Sequence, residues 1–405
     1  MLRLAALLPL AAVQAVPDIL AAGNANAEEA RWLVHEADWG YLSSLDATTQ
    51  HTTAQVASFS DGAGSSTGRL FFYLMTEDPG TADADEPPEK NSFAAALTLS
   101  QAMIDPADYE KAQCGATKET DPEDPRCAKL TLSGMVVPSK GEDIATGKAA
   151  LFARHPQMRG WPADHGFSVF ELHVTDVWMI ANYGGGTPVT PTSYYAATPK
   201  HHQATSEEEN RLVAKHPEDT VSAPPPWNQT AARARWLVYN SLWTAVSTRS
   251  VRLQGKPWGN IRSIADGVGE NSTGLPFFYL PTPDPSAVDI REDPRVTISL
   301  TEAALGERVV NGSEICNDMD AEDPTCGRIH LNGKAVPIDK SKIERAEASL
   351  GTRHPYASWL ATGGAHTGGT YYTIEIESID FLDMYGGPAP ITVAEYLAAP
   401  SPGAR

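Results

Sequence analysis

The 405-residue chain has only four cysteines, no CxxC pair and no apolar run near the ~20 residues that span a bilayer. Without CxxC or a nearby Cys/His cluster, the spacing of a tetrahedral metal site is missing, and no metal ligand is assigned. Basic residues are also scarce, 31 against 51 acidic, so the formal net charge is −20. Binding to nucleic acid or to an anionic membrane depends on Lys and Arg neutralising phosphates, and this balance opposes both.

Catalytic signatures are equally thin. There is no G-x-S-x-G elbow, no H-E-x-x-H, and no G-x-G-x-x-G after a strand. Gly327 to Ala335 imitates a phosphate loop only until its spacing is counted: five residues separate Gly327 from Gly333, and Ala335 stands where Ser or Thr is required. Glu171 and Glu375 lie on alternating stretches and read as solvated carboxylates. No catalytic residue is assigned, and the chain reads as a non-enzyme.

What the sequence does hold, it holds twice. Ala30-Arg31-Trp32-Leu33-Val34 returns as Ala234-Arg235-Trp236-Leu237-Val238. In the same order follow Trp39 with Trp243, Asp61-Gly62 with Asp266-Gly267, and Phe71-Phe72-Tyr73-Leu74 with Phe277-Phe278-Tyr279-Leu280. Arg154-His155-Pro156 with Arg353-His354-Pro355 and Tyr183-Gly184-Gly185 with Tyr385-Gly386-Gly387 complete the set. A spacing near two hundred residues is far too long for a solenoid unit and marks a tandem domain duplication. The copies differ at Asp38-Trp39-Gly40 against Leu242-Trp243-Thr244, so the pair is not symmetric.

Each copy carries one cysteine pair in the same slot, Cys114 with Cys127 and Cys316 with Cys326. Such local spans suit two intradomain disulfides, each worth roughly 2 to 3 kcal/mol in the chain-entropy model. Disulfides point to an oxidising compartment. Residues 1–15 read as a signal peptide: Arg3, the apolar Leu4 to Val13, then the small-residue pattern Val13-Gln14-Ala15. Asn228, Asn271 and Asn311 each open an N-x-S/T sequon, so an exported chain offers three glycan acceptors.

Punctuation places domain one at 27–199, a Pro/Glu-rich linker at 200–229 and domain two at 230–400. In the linker, a short helix is expected over Glu207 to Lys215, and His201-His202 reads as solvated. The acid-rich stretch Thr76 to Ser92 reads as a solvated loop. Each copy starts with a helix, for which Thr230 is the expected N-cap in the second. Arg69 to Met75, Phe93 to Ser100, Lys129 to Val137 and Phe167 to Val174 read as strands bounded by turn residues. The alternation in Phe170 to Val174 and Tyr372 to Ile379 fits an antiparallel sheet with one wet face. Asp143 to Ala153 and Lys340 to Leu350 read as helices that stop at the Arg-His-Pro triplets, with each His beside a helix C-terminus. A helix-bearing module of about six short strands suggests a closed or partly open barrel.

The helix with Trp39, the Ser60-Asp61-Gly62 turn, the Phe71 to Leu74 strand, the cysteine loop, the Arg154-His155-Pro156 helix end with Trp161, and Tyr183-Gly184-Gly185 before Thr190-Pro191 closely resemble the CREG family. The resemblance covers essentially the whole mature chain, once per half. It implies two tandem split β-barrels of the pyridoxamine-phosphate-oxidase-like, FMN-binding type, mainly β with helices. It also implies an intramolecular pseudo-dimer in which one half replaces the second subunit; a monomeric chain is the expectation, with further dimerisation left open by the tandem architecture. For function it implies an exported or endolysosomal/vacuolar glycoprotein, without cofactor, that works by binding a protein or glycan-receptor partner. The alternative is an FMN-binding oxidoreductase with its site between the two halves. Arg69 and Arg262 are then the phosphate candidates, since a flavin phosphate needs fixed cations or a helix N-terminus.

Overall fold

The computed structural model describes residues 25–75, 91–104, 114, 120–200, 221–308, 316, 319–357, 360 and 368–402. The expected signal segment, most of the acidic loop, His201-His202, the helix expected from Glu207 to Lys215, and Asn311 all lie outside the described residues. Asn228 and Asn271 are exposed.

The first barrel opens with α1 (25–36), then β1 (Trp39–Leu45), β2 (Thr52–Ser60), β3 (Leu70–Met75), β4 (Phe93–Ser100) and β5 (Lys129–Pro138). Helix α2 (Glu142–Arg154), strands β6 (Phe167–Ile180) and β7 (Thr187–Val189), and helix α3 (Pro191–Ala196) complete it. The strand order is β3-β2-β1-β4-β5-β6-β7, and β3 also pairs with β6, closing six antiparallel strands into a barrel with β7 hung on its rim. Closure removes the exposed edges that an open sheet would present.

The second barrel repeats this plan with α4 (Thr230–Asn240), β8 (Trp243–Ser250), β9 (Lys256–Ser263), β10 (Phe278–Leu280), α5 (Pro285–Glu292), β11 (Arg295–Thr301), β12 (Arg328–Pro337), α6 (Ile343–Arg353), β13 (Thr370–Leu382) and α7 (Val393–Ala398). Its order is β10-β13-β12-β11-β8-β9, and a single bridge between Ala265 and Phe277 brings the ends together. Two split β-barrels in tandem are therefore the architecture, as the sequence predicts. Helix α5 is the clearest addition: the sequence pattern did not mark it, although Asp284 caps it through Ser286 N–H and Pro285 occupies its first position. Thr230 is not the cap of α4. It lies inside the first turn, Gln229 holds the cap position, and no side chain caps the helix.

One device recurs at the barrel corners. Strands β5 and β12 each slip register against β6 and β13, at Ser133/Gly134 and at Asn332/Gly333. A Cβ on Gly134 would stand 2.0 Å from the carbonyl oxygen of His173, and one on Gly333 2.0 Å from that of Glu375. Only glycine permits the backbones to approach this closely, so the bulge that bends the sheet needs it twice.

Each barrel has its own apolar core. Trp32, Leu33, Phe59, Phe72, Leu97, Phe170 and Tyr194 are buried in the first, and Trp236, Leu237, Phe278, Ile298, Phe381 and Tyr396 in the second. Each such side chain contributes roughly 1.5 to 3 kcal/mol of hydrophobic stabilisation. The repeated arginines Arg31 and Arg235 are buried as well. Arg31 donates to the carbonyls of Tyr194, Tyr195 and Ala197 at the end of α3 and to Ser66. Arg235 does the same at Leu397, Ala399 and Ser272. Each arginine thus ties the first helix of its barrel to the last.

The barrels pack as a pseudo-dimer. In a twofold interface, residues on the axis meet their own equivalents. Trp39 stacks on Trp243 with ring centroids 6.4 Å apart and planes 16° apart, and the hydroxyls of Ser43 and Ser247 lie 2.7 Å apart. The pseudo-twofold axis therefore passes between β1 and β8. Tyr41, Val56, Leu242, Ala245 and Ile261 bury an apolar cluster around the tryptophans. Arg252 breaks the symmetry: it lies over both Trp178 and Trp258, 4.8 Å from each ring centroid, and pairs with Asp176.

Candidate functional site

On each side of this axis, the groove between the barrels is crossed by carboxylates from the opposite barrel. The chain segment before Cys127 reads Asp121-Pro122-Glu123-Asp124-Pro125-Arg126, and that before Cys326 reads Asp320-Ala321-Glu322-Asp323-Pro324-Thr325. Both disulfides form within their own domain, Cys114 with Cys127 and Cys316 with Cys326. Inside each segment, the first Asp accepts the N–H of the Glu two residues later, at 2.9 Å in both copies. This local turn aims the Asp and Glu side chains outward from their own barrel.

They land on the partner barrel's second strand. Asp320 accepts from the hydroxyl of Ser58, and Glu322 accepts the Ser58 N–H at 2.9 Å. Reciprocally, Asp121 accepts from the hydroxyl of Ser263, and Glu123 accepts the Ser263 N–H at 2.9 Å. The histidines of the Arg-His-Pro triplets complete the exchange. His155 places Nδ1 2.7 Å from Asp320 Oδ2 and Nε2 2.9 Å from the Phe59 carbonyl oxygen. His354 places Nδ1 2.8 Å from Asp121 Oδ2 and Nε2 2.8 Å from the Ile264 carbonyl oxygen. Each His does sit at the C-cap of its helix, as the sequence implies, but its ring is buried and joins the domains.

Burial by itself would push Asp320 and Asp121 up, yet both are held below the usual carboxylate range by the facing histidine and serine. Burial pulls His155 down, and hydrogen bonding and charge from Asp320, with the Phe59 carbonyl and Asp38, outweigh it and raise it.

The grooves are not equivalent. Position 57 on β2 is Ala, whereas its counterpart on β9 is Arg262. The Arg262 guanidinium, 4% exposed, is held by Glu123 at 2.8 Å across the interface and by Asp284 at the cap of α5. Burial, opposed by Arg262, pushes Glu123 up to about 7. Nearby, Lys129 donates to the carbonyls of Asp124 and Cys127 at 2.7 and 2.9 Å, and burial, partly offset by Glu123, lowers it to about 8. Arg69, expected on the Phe-Phe-Tyr strand, precedes β3 and bridges Glu171 and Asp143 within the first barrel. Glu171 is thereby buried rather than solvated.

As folded, these residues do not fit the phosphate of FMN. Both candidate cations are neutralised by two carboxylates each, and a phosphate at Arg262 would have to displace Glu123 and Asp284 from a buried position. Arg69 and Arg262 are not brought into one site. The reciprocal Asp-x-Glu-Asp-Pro-x-Cys segments were the residues that sequence reasoning missed, although their occurrence in both copies was a readable signal.

The repeated geometry matches a described family. The family described as CREG, beta-barrel, covers residues 22–196 and again 225–398. The chain belongs to the CREG β-barrel family. Protein CREG2 of Homo sapiens is 33% identical over 191 residues, 44% of this chain and 60% of its own length. Protein CREG1 of Gallus gallus is 34% identical over 179 residues, 43% of this chain and 86% of its own length. Each of these CREG relatives therefore aligns with less than half of this chain, and the match spans under two thirds of human CREG2. Among solved structures, a heme binding protein from Mycobacterium smegmatis is similar at 15% identity with a TM-score of 0.34, over 44% of this chain and 63% of its own. In the CREG frame, the tandem copies meet through the two loop exchanges just described. Among the described residues, no helix is long and apolar enough to cross a membrane, and no group of three or more His, Cys, Asp or Glu is arranged to hold a metal.

Proposed function

We propose that this tandem CREG chain is a cofactor-free, non-enzymatic glycoprotein of the exported or endolysosomal route that acts by binding a protein or glycan-receptor partner through its outer surface. The observation that carries the reading is the neutralisation of Arg262: the cation best placed for a flavin phosphate between the barrels is buried between Glu123 and Asp284. The two intradomain disulfides and the exposed sequon residues Asn228 and Asn271 support the oxidising, glycan-bearing route. The acidic charge supports a partner other than nucleic acid.

The test is the visible spectrum of the purified full chain, followed by FMN titration read as quenching of flavin fluorescence. A colourless protein that gives no saturable quenching through the micromolar range is the expected result. A yellow protein, or saturable micromolar binding that is lost on Arg262→Met, would replace this reading with a flavin-dependent oxidoreductase. Binding of the labelled chain to cells, competed by unlabelled chain and reduced by enzymatic deglycosylation, then checks the receptor arm.

A further inference from the structure

The two buried histidines invite a closer look at their protons. A neutral imidazole has one N–H donor, and its other nitrogen is an acceptor. Yet His155 faces an acceptor at each nitrogen, the Asp320 carboxylate and the Phe59 carbonyl, and His354 faces the Asp121 carboxylate and the Ile264 carbonyl. Asp320 and Asp121 are held below the usual carboxylate range and so stay ionised; opposite an ionised carboxylate, a ring satisfies both of its contacts when both nitrogens are protonated.

We propose that the His155–Asp320 and His354–Asp121 pairs form a clasp between the two barrels, and that its His155 side is proton-loaded in acidic surroundings and slackens as the medium turns alkaline. Loss of one proton turns a nitrogen lone pair toward a carbonyl or carboxylate oxygen, and a buried attraction becomes a repulsion. The clasp is interdomain on both sides, so its slackening opens the grooves and not the barrel cores. This inference is independent of how the protein binds partners.

The neighbours of each ring set the direction. His155 is faced by Asp320 on the exchanged segment, by the Phe59 carbonyl on β2, and by Asp38 before β1, while Glu322 on the same segment accepts the Ser58 N–H. Arg154 on its own helix is occupied with Asp61 and with the carbonyls of Val34, His35 and Ala37. His354 has Asp121 and Glu123 on the exchanged segment and the Ile264 carbonyl beyond β9. The cations on that side are Arg262, held by two carboxylates, Lys129, held by carbonyls, and Arg353, which donates to the Tyr239 carbonyl.

His155 is raised in the folded state, so its stabilisation is complete below the ordinary histidine value of about 6.5 and fades as pH climbs through the raised one. Glu123, pushed up to about 7, acts in the same direction. Asp320 and Asp121 are lowered, so their contribution is present above the ordinary value of about 3.9 and is lost as pH falls through the lowered one. The clasp is therefore tightest between about pH 4 and 6.5.

The decisive experiment uses the full wild-type chain with ¹⁵N-labelled histidine. Imidazolium and neutral ring tautomers have distinct nitrogen signatures, and amide exchange at Ser58 and Ser263 reports opening of the exchanged segments. A buried His155 protonated on both nitrogens at pH 6.5 is expected. The opening constant at Ser58, corrected for intrinsic exchange, should rise up to about tenfold per pH unit above that value as His155 gives up its proton. A neutral His155 ring at pH 6, or an opening constant at Ser58 flat from pH 5 to 8.5, would overturn the proposal. His155→Gln should remove the pH slope at Ser58, and Glu322→Gln, which changes the carboxylate that accepts the Ser58 N–H, should leave it in place. A slope abolished by Glu322→Gln alone would assign the titration to that carboxylate and defeat the clasp.

Discussion

Replacing Asp320 with Asn removes a charge without removing volume, and so isolates the electrostatic part of the interdomain joint. Asp320 receives three donors: His155 Nδ1–H, the Ser58 hydroxyl and the Glu322 N–H. Asn can keep at most two of them on its carbonyl oxygen, and its amide group confronts the third. Breaking one partner from a buried ion pair costs about 3 to 5 kcal/mol, because the remaining charge is stranded. Here the stranded group is an imidazolium, which escapes by releasing its proton, and that escape costs about 1.4 kcal/mol for each pH unit below its folded value. The loss is therefore expected to reach about 3 kcal/mol at pH 5 and to shrink to the ~1 to 2 kcal/mol of lost hydrogen bonding at pH 8. Urea unfolding followed by intrinsic fluorescence reads this directly, since Trp39 and Trp243 stack at the joint and report its separation. Asp121→Asn removes the matching carboxylate of the other joint, and because the two sites share no residue the double variant should be additive within about 0.5 kcal/mol. A loss under about 1 kcal/mol at pH 5, or one that grows with pH, would refute the assignment of Asp320 as the counter-ion of His155.

Other perturbations follow from the same geometry. Arg262→Met strands Glu123 and Asp284 in a buried place and should cost about 3 to 5 kcal/mol at pH 8. It should cost clearly less at pH 5, where Glu123, at about 7, is already neutral, and urea midpoints at the two pH values check the difference. Arg69→Ala removes a half-exposed pair with Glu171 and Asp143 and should cost no more than about 1 kcal/mol in the same assay, after solvent screening. Gly134→Ala drives a methyl group into the His173 carbonyl and should cost about 1 to 3 kcal/mol or more, seen as a lower midpoint with the interdomain amides still protected.

The barrels were legible because their signals are local. Strands β4 and β5 are bounded by turn residues that fix their ends to within a residue, and the landmark Trp39/Trp243 lies on the pseudo-twofold axis, as a duplicated dimer requires. What stayed hidden is non-local. Nothing near His155 in the sequence reveals that its counter-ion lies 165 residues away in the other copy. Glu171 alternates as a solvent-facing residue would, and only the approach of Arg69 from before β3 explains its burial. Arg262 was readable as a strand cation on the matching strand, but the carboxylates that consume it come from the other barrel and from a helix the pattern did not mark. The repeated Asp-x-Glu-Asp-Pro-x-Cys segment was in plain view, and the even chemistry of its two copies is what a reciprocal contact demands.

Because the exchanged loops belong to one polypeptide, the joint between the barrels is a unimolecular contact. Two separate subunits sharing this interface would come apart once diluted below their dissociation constant, and their grooves would exist only in proportion to concentration. Joined by a linker, each barrel meets the other at an effective concentration on the order of millimolar, however few molecules surround them. A protein released into a large volume would keep its paired state there, and its dose response toward any binder should carry no second-order assembly step.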